Sequence, residues 1–70
     1  MTKAMQIKLN GKIQRFAAPL TVAGLMHALK LEAGQVAVER NLEIVPRSRW
    51  GETALAENDT VEIVKFIGGG

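Results

Sequence analysis

Only one stretch of this chain has the periodicity of an amphipathic α-helix, and the other patterned stretches are typical of β-strands. The apolar residues of the helical stretch fall at positions i, i+3, i+4 and i+7, namely Val22, Leu25, Met26 and Leu29. Thr21 is a typical N-cap residue, and we expect the helix to end near Lys30 or Leu31. One helix and several strands bury their apolar sides together when the helix covers one face of a sheet.

The predicted strands form two groups, one on each side of the helix. Before it, the alternation at 5–9 and the turn-forming pair Asn10-Gly11 predict a hairpin whose second strand covers 12–18. A two-residue turn places Met5 opposite Phe16, and the weak amphipathicity of the second strand predicts an edge of the sheet. After the helix, strands are predicted at 36–40, 43–45 and 60–67. The predicted fold is α+β, in the order β-β-α-β-β-β, with a mixed sheet of four to five strands.

Length and composition exclude several classes of protein. The 70 residues predict one domain at 1–67 and a flexible glycine tail at 68–70. The absence of cysteine excludes a disulfide scaffold and a thiolate metal site. No apolar run approaches the roughly 20 residues of a membrane span, and no leader peptide is recognisable. We therefore expect a cytoplasmic protein with no membrane partner.

Reactive side chains are few, which favours a protein that is not an enzyme by itself. A single histidine, His27, supports neither a Ser-His-Asp arrangement nor a multi-histidine metal site, so no catalytic residue or metal ligand is predicted. Asp59 is predicted to be a turn residue, and Trp50 a core residue. A net charge of +2 with three aromatic residues offers little for nucleic-acid binding, although a basic binding module remains an alternative.

The end of the sequence, Phe66-Ile67-Gly68-Gly69-Gly70, has the greatest functional potential. Glycines have no side chain to pack, so Gly68 and Gly69 can thread a narrow slot and bring the carboxylate of Gly70 into a partner's active site. The residues predicted to dock that partner are Val64, Phe66, Ile67 and Arg47. A frayed chain end without a function is the alternative interpretation.

Several motifs together resemble one family. They are Asn10-Gly11, Val36-Ala37-Val38-Glu39-Arg40-Asn41, Ile44-Val45-Pro46-Arg47 with Trp50, Asp59-Thr60-Val61 and the terminal Gly69-Gly70. The chain is similar to the ThiS family, the small ubiquitin-like β-grasp sulfur carriers of thiamine biosynthesis, over nearly all of residues 5–70. It departs from the family's usual pattern at Leu42, where glycine or a polar residue is common, at Asn58, where glycine is common, and at Gly24, where an acidic residue is common.

The resemblance implies a β-grasp fold and a defined series of partners. An E1-like adenylyltransferase of the ThiF type uses ATP-Mg to adenylate the carboxylate of Gly70. A persulfide donor then supplies the sulfur of a thiocarboxylate, which a thiazole synthase of the ThiG type inserts into the thiazole ring of thiamine. The carrier itself keeps no bound cofactor. The alternatives are a carrier for molybdopterin synthase or for tRNA thiolation, a ubiquitin-like protein modifier, and a binding module that carries no sulfur.

Overall fold

The computed structural model describes residues 3–66, which form one sheet with a helix on one of its faces. The elements follow in the order β1 (Lys3–Leu9), β2 (Lys12–Ala18), α1 (Val22–Ala28), β3 (Val36–Arg40), β4 (Glu43–Ile44) and β5 (Thr60–Lys65). Short 3₁₀ helices lie at Ala33–Gln35 and Arg47–Glu52. The predicted α+β order is confirmed, and the arrangement is that of a β-grasp domain.

Strand β5 lies at the centre of the sheet, whose order is β2-β1-β5-β3-β4. It runs parallel to β1 and antiparallel to β3, while β1–β2 and β3–β4 are antiparallel hairpins. The predicted register, with Met5 opposite Phe16, and the edge position of β2 are both confirmed. The last strand of the chain is therefore supported on both sides.

The core lies between α1 and the inner face of the sheet. The strand residues buried in it alternate along the chain, as expected for one face of a sheet: Met5, Ile7, Leu9, Val36, Val38 and Val61. Trp50 is buried there as predicted, and its indole N–H donates a 2.9 Å hydrogen bond to the carbonyl of Val45. This bond links the second 3₁₀ helix to the residue that follows β4.

Helix α1 begins where the sequence predicts and ends earlier. The Thr21 hydroxyl accepts a 3.0 Å hydrogen bond from the N–H of Gly24, which confirms the N-cap. The predicted end near Lys30 or Leu31 is wrong, because the helix stops at Ala28. Lys30 has a left-handed φ of 59°, and the N–H of Leu31 bonds back to the carbonyl of Met26 at 3.0 Å. This is a Schellman-type cap, in which the left-handed residue is usually glycine, so a lysine at position 30 does not indicate a helix end.

The two hairpins turn through residues with positive φ. Asn10 and Gly11 have φ of 48° and 84°, as a type I′ turn requires. Asn41 and Leu42 have φ of 51° and 72° between β3 and β4. A residue with a side chain costs roughly 1–2 kcal/mol in this conformation. Leu42 therefore introduces backbone strain at a position where glycine would introduce almost none.

The last two strands are shorter than predicted. Strand β4 stops at Ile44, although the N–H of Val45 still donates to the carbonyl of Val38. Strand β5 stops at Lys65, and the N–H of Phe66 still donates to the carbonyl of Gln35. Ile67, the predicted last residue of β5, lies outside the described residues. Over residues 3–66, the structure has no helix of the length and apolar character needed to cross a membrane.

Candidate functional site at the end of strand β5

The predicted site residues fall into three groups. Ile67 and the glycines Gly68, Gly69 and Gly70 lie outside the described residues, as does the predicted boundary between domain and tail. Val64 lies among the last residues of β5 and Phe66 directly follows the strand, so both precede those residues closely in the sequence. Arg47 is exposed at the start of the second 3₁₀ helix, an element that contacts α1. The structure thus brings Val64 and Phe66 together and places Arg47 on another element.

The first half of β5 is held firmly from both sides. Val61 is fully buried, and its carbonyl accepts a 2.9 Å hydrogen bond from the N–H of Asn10 in the β1–β2 turn. On the opposite side, the N–H of Asn41 in the β3–β4 turn donates to the carbonyl of Thr60 at 2.7 Å. Both hairpin turns therefore contact this part of β5.

The side chains of the same two asparagines extend these backbone contacts. The amide of Asn10 accepts from the N–H of Ile63 at 2.7 Å and donates to its carbonyl at 3.3 Å, as a neighbouring strand would. The amide oxygen of Asn41 accepts from the N–H of Thr60 at 2.9 Å. Strand β1 turns away at Asn10, so this side chain satisfies polar groups of β5 that β1 no longer reaches.

Asp59 connects the start of β5 to the β3–β4 turn. It is the one buried charged residue within 3–66, and it accepts hydrogen bonds from Arg40 Nε at 2.7 Å, Asn41 Nδ2 at 3.0 Å and the N–H of Ala56 at 2.8 Å. Burial raises the pKa of Asp59, but the bonds from Arg40, Asn41 and Ala56 outweigh it and hold the pKa below the ordinary 3.8. Asp59 is a turn residue, as predicted, but the prediction did not include its hydrogen bonds to Arg40 and Asn41.

The second half of β5 has a different environment. Val64 and Phe66 point away from α1 and are 60% and 62% exposed, as expected for alternate residues on the outer face. Beyond Ile63, the described part of β5 is hydrogen-bonded on the β3 side only, through pairs that reach Val36 and Lys65. Two exposed apolar side chains therefore stand where the strand leads into the glycine residues.

Reactive groups are sparse in the described part of the chain. Between residues 3 and 66, no three histidine, aspartate or glutamate side chains converge as metal ligands would. His27 is exposed on α1, away from Val64 and Phe66, which lie on the other face of the sheet. This part of the molecule is therefore characterised by the exposed apolar side chains of Val64 and Phe66.

Sequence reasoning did not identify the network of Asn10, Asn41 and Asp59 as part of this site. Each residue has a local explanation as a turn former, which concealed its long-range contacts. Asn10 lies 53 positions from Ile63, and Arg40 lies 19 positions from Asp59. The sequence does show that these three polar residues lie next to apolar strand segments. Their hydrogen-bond partners could be assigned only once the order of the strands in the sheet was known.

Comparison with known proteins gives consistent matches over almost the whole chain. The sequence profile of the ThiS family matches residues 7–70. The sulfur carrier protein ThiS of Bacillus subtilis is 40% identical over 65 residues, which cover 91% of this chain and 98% of that protein. A crystal structure of the thiamine biosynthesis protein ThiS from Geobacter metallireducens superposes with a TM-score of 0.82 at 38% identity, covering 94% of this chain and all of the other.

A second kind of relative is much longer. The thiazole synthase of Paramagnetospirillum magneticum is 47% identical over 66 residues, and that of Magnetococcus marinus is 44% identical over 66 residues. These matches cover 94% of this chain but 20% of each thiazole synthase. The chain thus spans about a fifth of the length of these two relatives.

Proposed function

Because the chain belongs to the ThiS family, we propose that it is a sulfur carrier of thiamine biosynthesis that transports sulfur as a thiocarboxylate on Gly70. The observation that carries this proposal is the extent of the family match, which continues through the glycine residues to position 70. A match confined to the folded domain would support a shared fold and leave the chain end without a role.

The geometry of β5 supports the same function. The strand is fixed at its start by the Asp59 network and leads to Phe66 with both large side chains of its outer face exposed. The four residues after Phe66 span at most about 14 Å when fully extended. A partner that docks on Val64 and Phe66 would therefore have the carboxylate of Gly70 within that distance of the docking surface.

The proposed chemistry begins with activation of a carboxylate, which is a poor acyl donor. A carboxylate oxygen of Gly70 attacks the α-phosphorus of ATP, so that pyrophosphate leaves and an acyl-adenylate forms. The terminal sulfur of a persulfide then attacks the carbonyl carbon, AMP leaves, and an acyl disulfide links carrier and donor. A thiol reduces that disulfide by two electrons and releases the thiocarboxylate. Enzymes supply every catalytic group, and this chain supplies the acyl group and the surface that they bind.

The partners proposed for these steps are an E1-like adenylyltransferase with ATP-Mg, a persulfide donor and a thiazole synthase. The relatives named thiazole synthase support the last of them, since a stretch similar to this chain occurs within those proteins. ATP, a persulfide and a thiol are all reagents of the cytoplasm, and we propose that the chain acts there. The domain holds no cofactor permanently under this proposal.

The intact mass of the chain tests the proposal directly. After incubation with the E1-like enzyme of the same genome, ATP-Mg, a persulfide source and a thiol, we expect a gain equal to the exchange of one oxygen for one sulfur. Fragmentation should place the change on Gly70. A variant that lacks Gly69 and Gly70 should fold normally and show no gain.

Gly34→Ala is the matched control for a change of glycine outside the tail. A Cβ at Gly34 meets no atom within 4 Å, so this variant should gain sulfur like the unmodified chain. An unchanged mass for the unmodified chain, with a known carrier reacting in parallel, would contradict the proposal. Isopeptide conjugates to lysine would instead identify a protein modifier, and sulfur transfer to molybdopterin synthase or to tRNA would identify another carrier branch.

A further inference from the structure

The pair Asn10-Gly11 has a reactivity that its place in the β1–β2 turn does not use. Asparagine is a thermolabile residue, because the main-chain nitrogen of the next residue can attack its side-chain amide carbon. A side chain on that next residue hinders the attack, so an asparagine followed by glycine is the most reactive. Asn10 is the one asparagine of the sequence that precedes glycine, since the other two precede a leucine and an aspartate, at 41–42 and 58–59.

The turn leaves the main chain of this pair open to solvent. Asn10 and Gly11 are both exposed, at the end of the hairpin that β1 and β2 form. A Cβ built on Gly11 would meet no atom within 4 Å, so no neighbouring group shields the nitrogen that attacks. The turn by itself therefore does not protect Asn10.

The side-chain amide of Asn10, in contrast, is held by β5. Its oxygen accepts a 2.7 Å hydrogen bond from the N–H of Ile63, and its nitrogen donates to the carbonyl of Ile63 at 3.3 Å. The attack brings the amide carbon to bonding distance of the Gly11 nitrogen and converts it from planar to tetrahedral. The two hydrogen bonds fix a planar amide that is directed at β5, so they have to break before this reaction can occur.

We propose that Asn10 is a deamidation site whose rate is controlled by the opening of its contact with Ile63. The nitrogen of Gly11 loses its proton and forms a bond to the side-chain carbon of Asn10, and the amide nitrogen of Asn10 leaves as ammonia. Water then opens the resulting succinimide at either of its carbonyls and leaves an aspartate or an isoaspartate. The net reaction consumes one water and releases one ammonia. This inference does not depend on the proposed function.

Either product weakens the start of β5. A carboxylate is an acceptor only, so an anionic oxygen takes the place of the donor that faces the carbonyl of Ile63. An isoaspartate routes the main chain through its Cβ, which lengthens a two-residue turn by one atom and disturbs the register of β1 against β2. Deamidation therefore follows the opening of this contact and prevents the same contact from forming again.

Peptide mapping of the full chain in warm, mildly alkaline buffer tests the inference. Deamidation appears as a mass gain equal to the exchange of an NH₂ group for a hydroxyl in the peptide that contains Asn10. In urea, Asn10 should react fastest of the three asparagines, and in the folded chain it should react at least about 10-fold more slowly than in urea. Equal rates in the two states would overturn the inference, as would a chain whose Asn10 does not react in urea.

Hydrogen exchange measures the opening of the contact independently, because the N–H of Ile63 is bonded to the amide oxygen of Asn10. Asp59→Asn weakens the start of β5 without changing Asn10, so it should speed exchange at Ile63 and deamidation at Asn10 by the same factor, within about 3-fold. Glu52→Ala removes an exposed carboxylate elsewhere and should change both rates by less than about 2-fold. Faster exchange at Ile63 without faster deamidation would overturn the inference.

The variant Asn10→Asp supplies the aspartate product directly and tests its effect on the fold. We expect its Tm to fall by at least about 4 °C and the N–H of Ile63 to exchange faster. Asn58→Asp is the matched control, because it makes the same change of charge at a side chain that bonds to none of residues 3–66. Equal Tm values for Asn10→Asp and Asn58→Asp would contradict the proposed effect on β5.

Discussion

The two halves of strand β5 differ in almost every physical respect. At its start, Val61 is buried, and the backbone is bonded to both neighbouring strands and to two asparagine side chains. At its end, Val64 and Phe66 are exposed, and the backbone is bonded on the β3 side only. The first half of β5 therefore stabilises the fold. The second half exposes apolar surface. One short strand is therefore fixed at its start and still exposes apolar surface at its end.

Among the substitutions that test the difference between the two halves of β5, Asp59→Ala should lower the free energy of unfolding most. The substitution leaves Arg40 and the N–H of Ala56 without their acceptor in a mostly buried position. We expect the free energy of unfolding to fall by about 2–4 kcal/mol, as measured by urea denaturation.

Glu52→Ala is the control for removal of a carboxylate. Glu52 forms an exposed 3.7 Å ion pair with Arg49, so its loss should change the free energy of unfolding by less than about 1 kcal/mol. Equal losses in the two variants would contradict the view that the start of β5 is the anchor. Asp59→Asn keeps one acceptor oxygen and should fall between them.

A smaller loss is expected from Asn10→Gly. Glycine adopts the φ of 48° without strain, so the substitution isolates the two hydrogen bonds to Ile63. We expect a loss of about 1–2 kcal/mol in the free energy of unfolding and faster amide hydrogen exchange at Ile63.

Asn58→Gly provides a matched change of the same residue type. Asn58 also has a positive φ, of 68°, and its side chain forms no hydrogen bond with residues 3–66. Its replacement should therefore leave stability nearly unchanged or raise it slightly. If Asn10→Gly and Asn58→Gly lowered the free energy of unfolding equally, the side-chain amide of Asn10 would not be supplying the hydrogen bonds that a neighbouring strand would otherwise make.

Acid should weaken the start of β5 through Asp59. The pKa of Asp59 is lower in the folded chain than its ordinary value of 3.8, so the carboxylate contributes stability above that value. This contribution is lost as the pH falls through the folded pKa. The difference in unfolding free energy between the unmodified chain and Asp59→Asn should therefore be constant near neutral pH and shrink below about pH 4. A difference that stays constant down to pH 2 would contradict this assignment.

Much of the fold could be predicted from the sequence because its signals are local. The Thr21 cap, the Asn10-Gly11 turn and the alternation in β1 each depend on residues a few positions apart, and all three were confirmed. The end of α1 was missed because Lys30 occupies a left-handed cap position that usually identifies itself by glycine.

The candidate site was less predictable, since it depends on contacts between distant parts of the chain. Val64 and Phe66, which the sequence predicts as docking residues, are both exposed, but their docking role stays a prediction. The register of β3 against β5 pairs residues 21 to 29 positions apart, from Arg40 with Val61 to Val36 with Lys65, and no local pattern specifies it. Asp59 was recognised as a turn residue, but its bond to Arg40 required the same register.

The smallest effect on stability, and a large one on binding, should come from Val64→Ser and Phe66→Ser. Both side chains are more than half exposed, so each substitution should change the free energy of unfolding by less than about 1 kcal/mol. Apolar residues that anchor an interface carry a large share of its binding energy. We therefore expect each variant to bind the E1-like enzyme or thiazole synthase at least about 10-fold more weakly in isothermal titration calorimetry.

The Ile13→Ser variant tests whether binding depends on the end of β5 or on any exposed apolar side chain of the sheet. Ile13 is 65% exposed and lies on the edge strand β2, two strands away from β5. Its replacement also removes exposed apolar area but should leave binding unchanged, because β2 lies two strands from the docking surface proposed at Val64 and Phe66. If Ile13→Ser weakened binding as much as Phe66→Ser, the whole outer face would be the contact. The division of β5 into an anchored half and a docking half would then explain the stability of the chain but not its recognition.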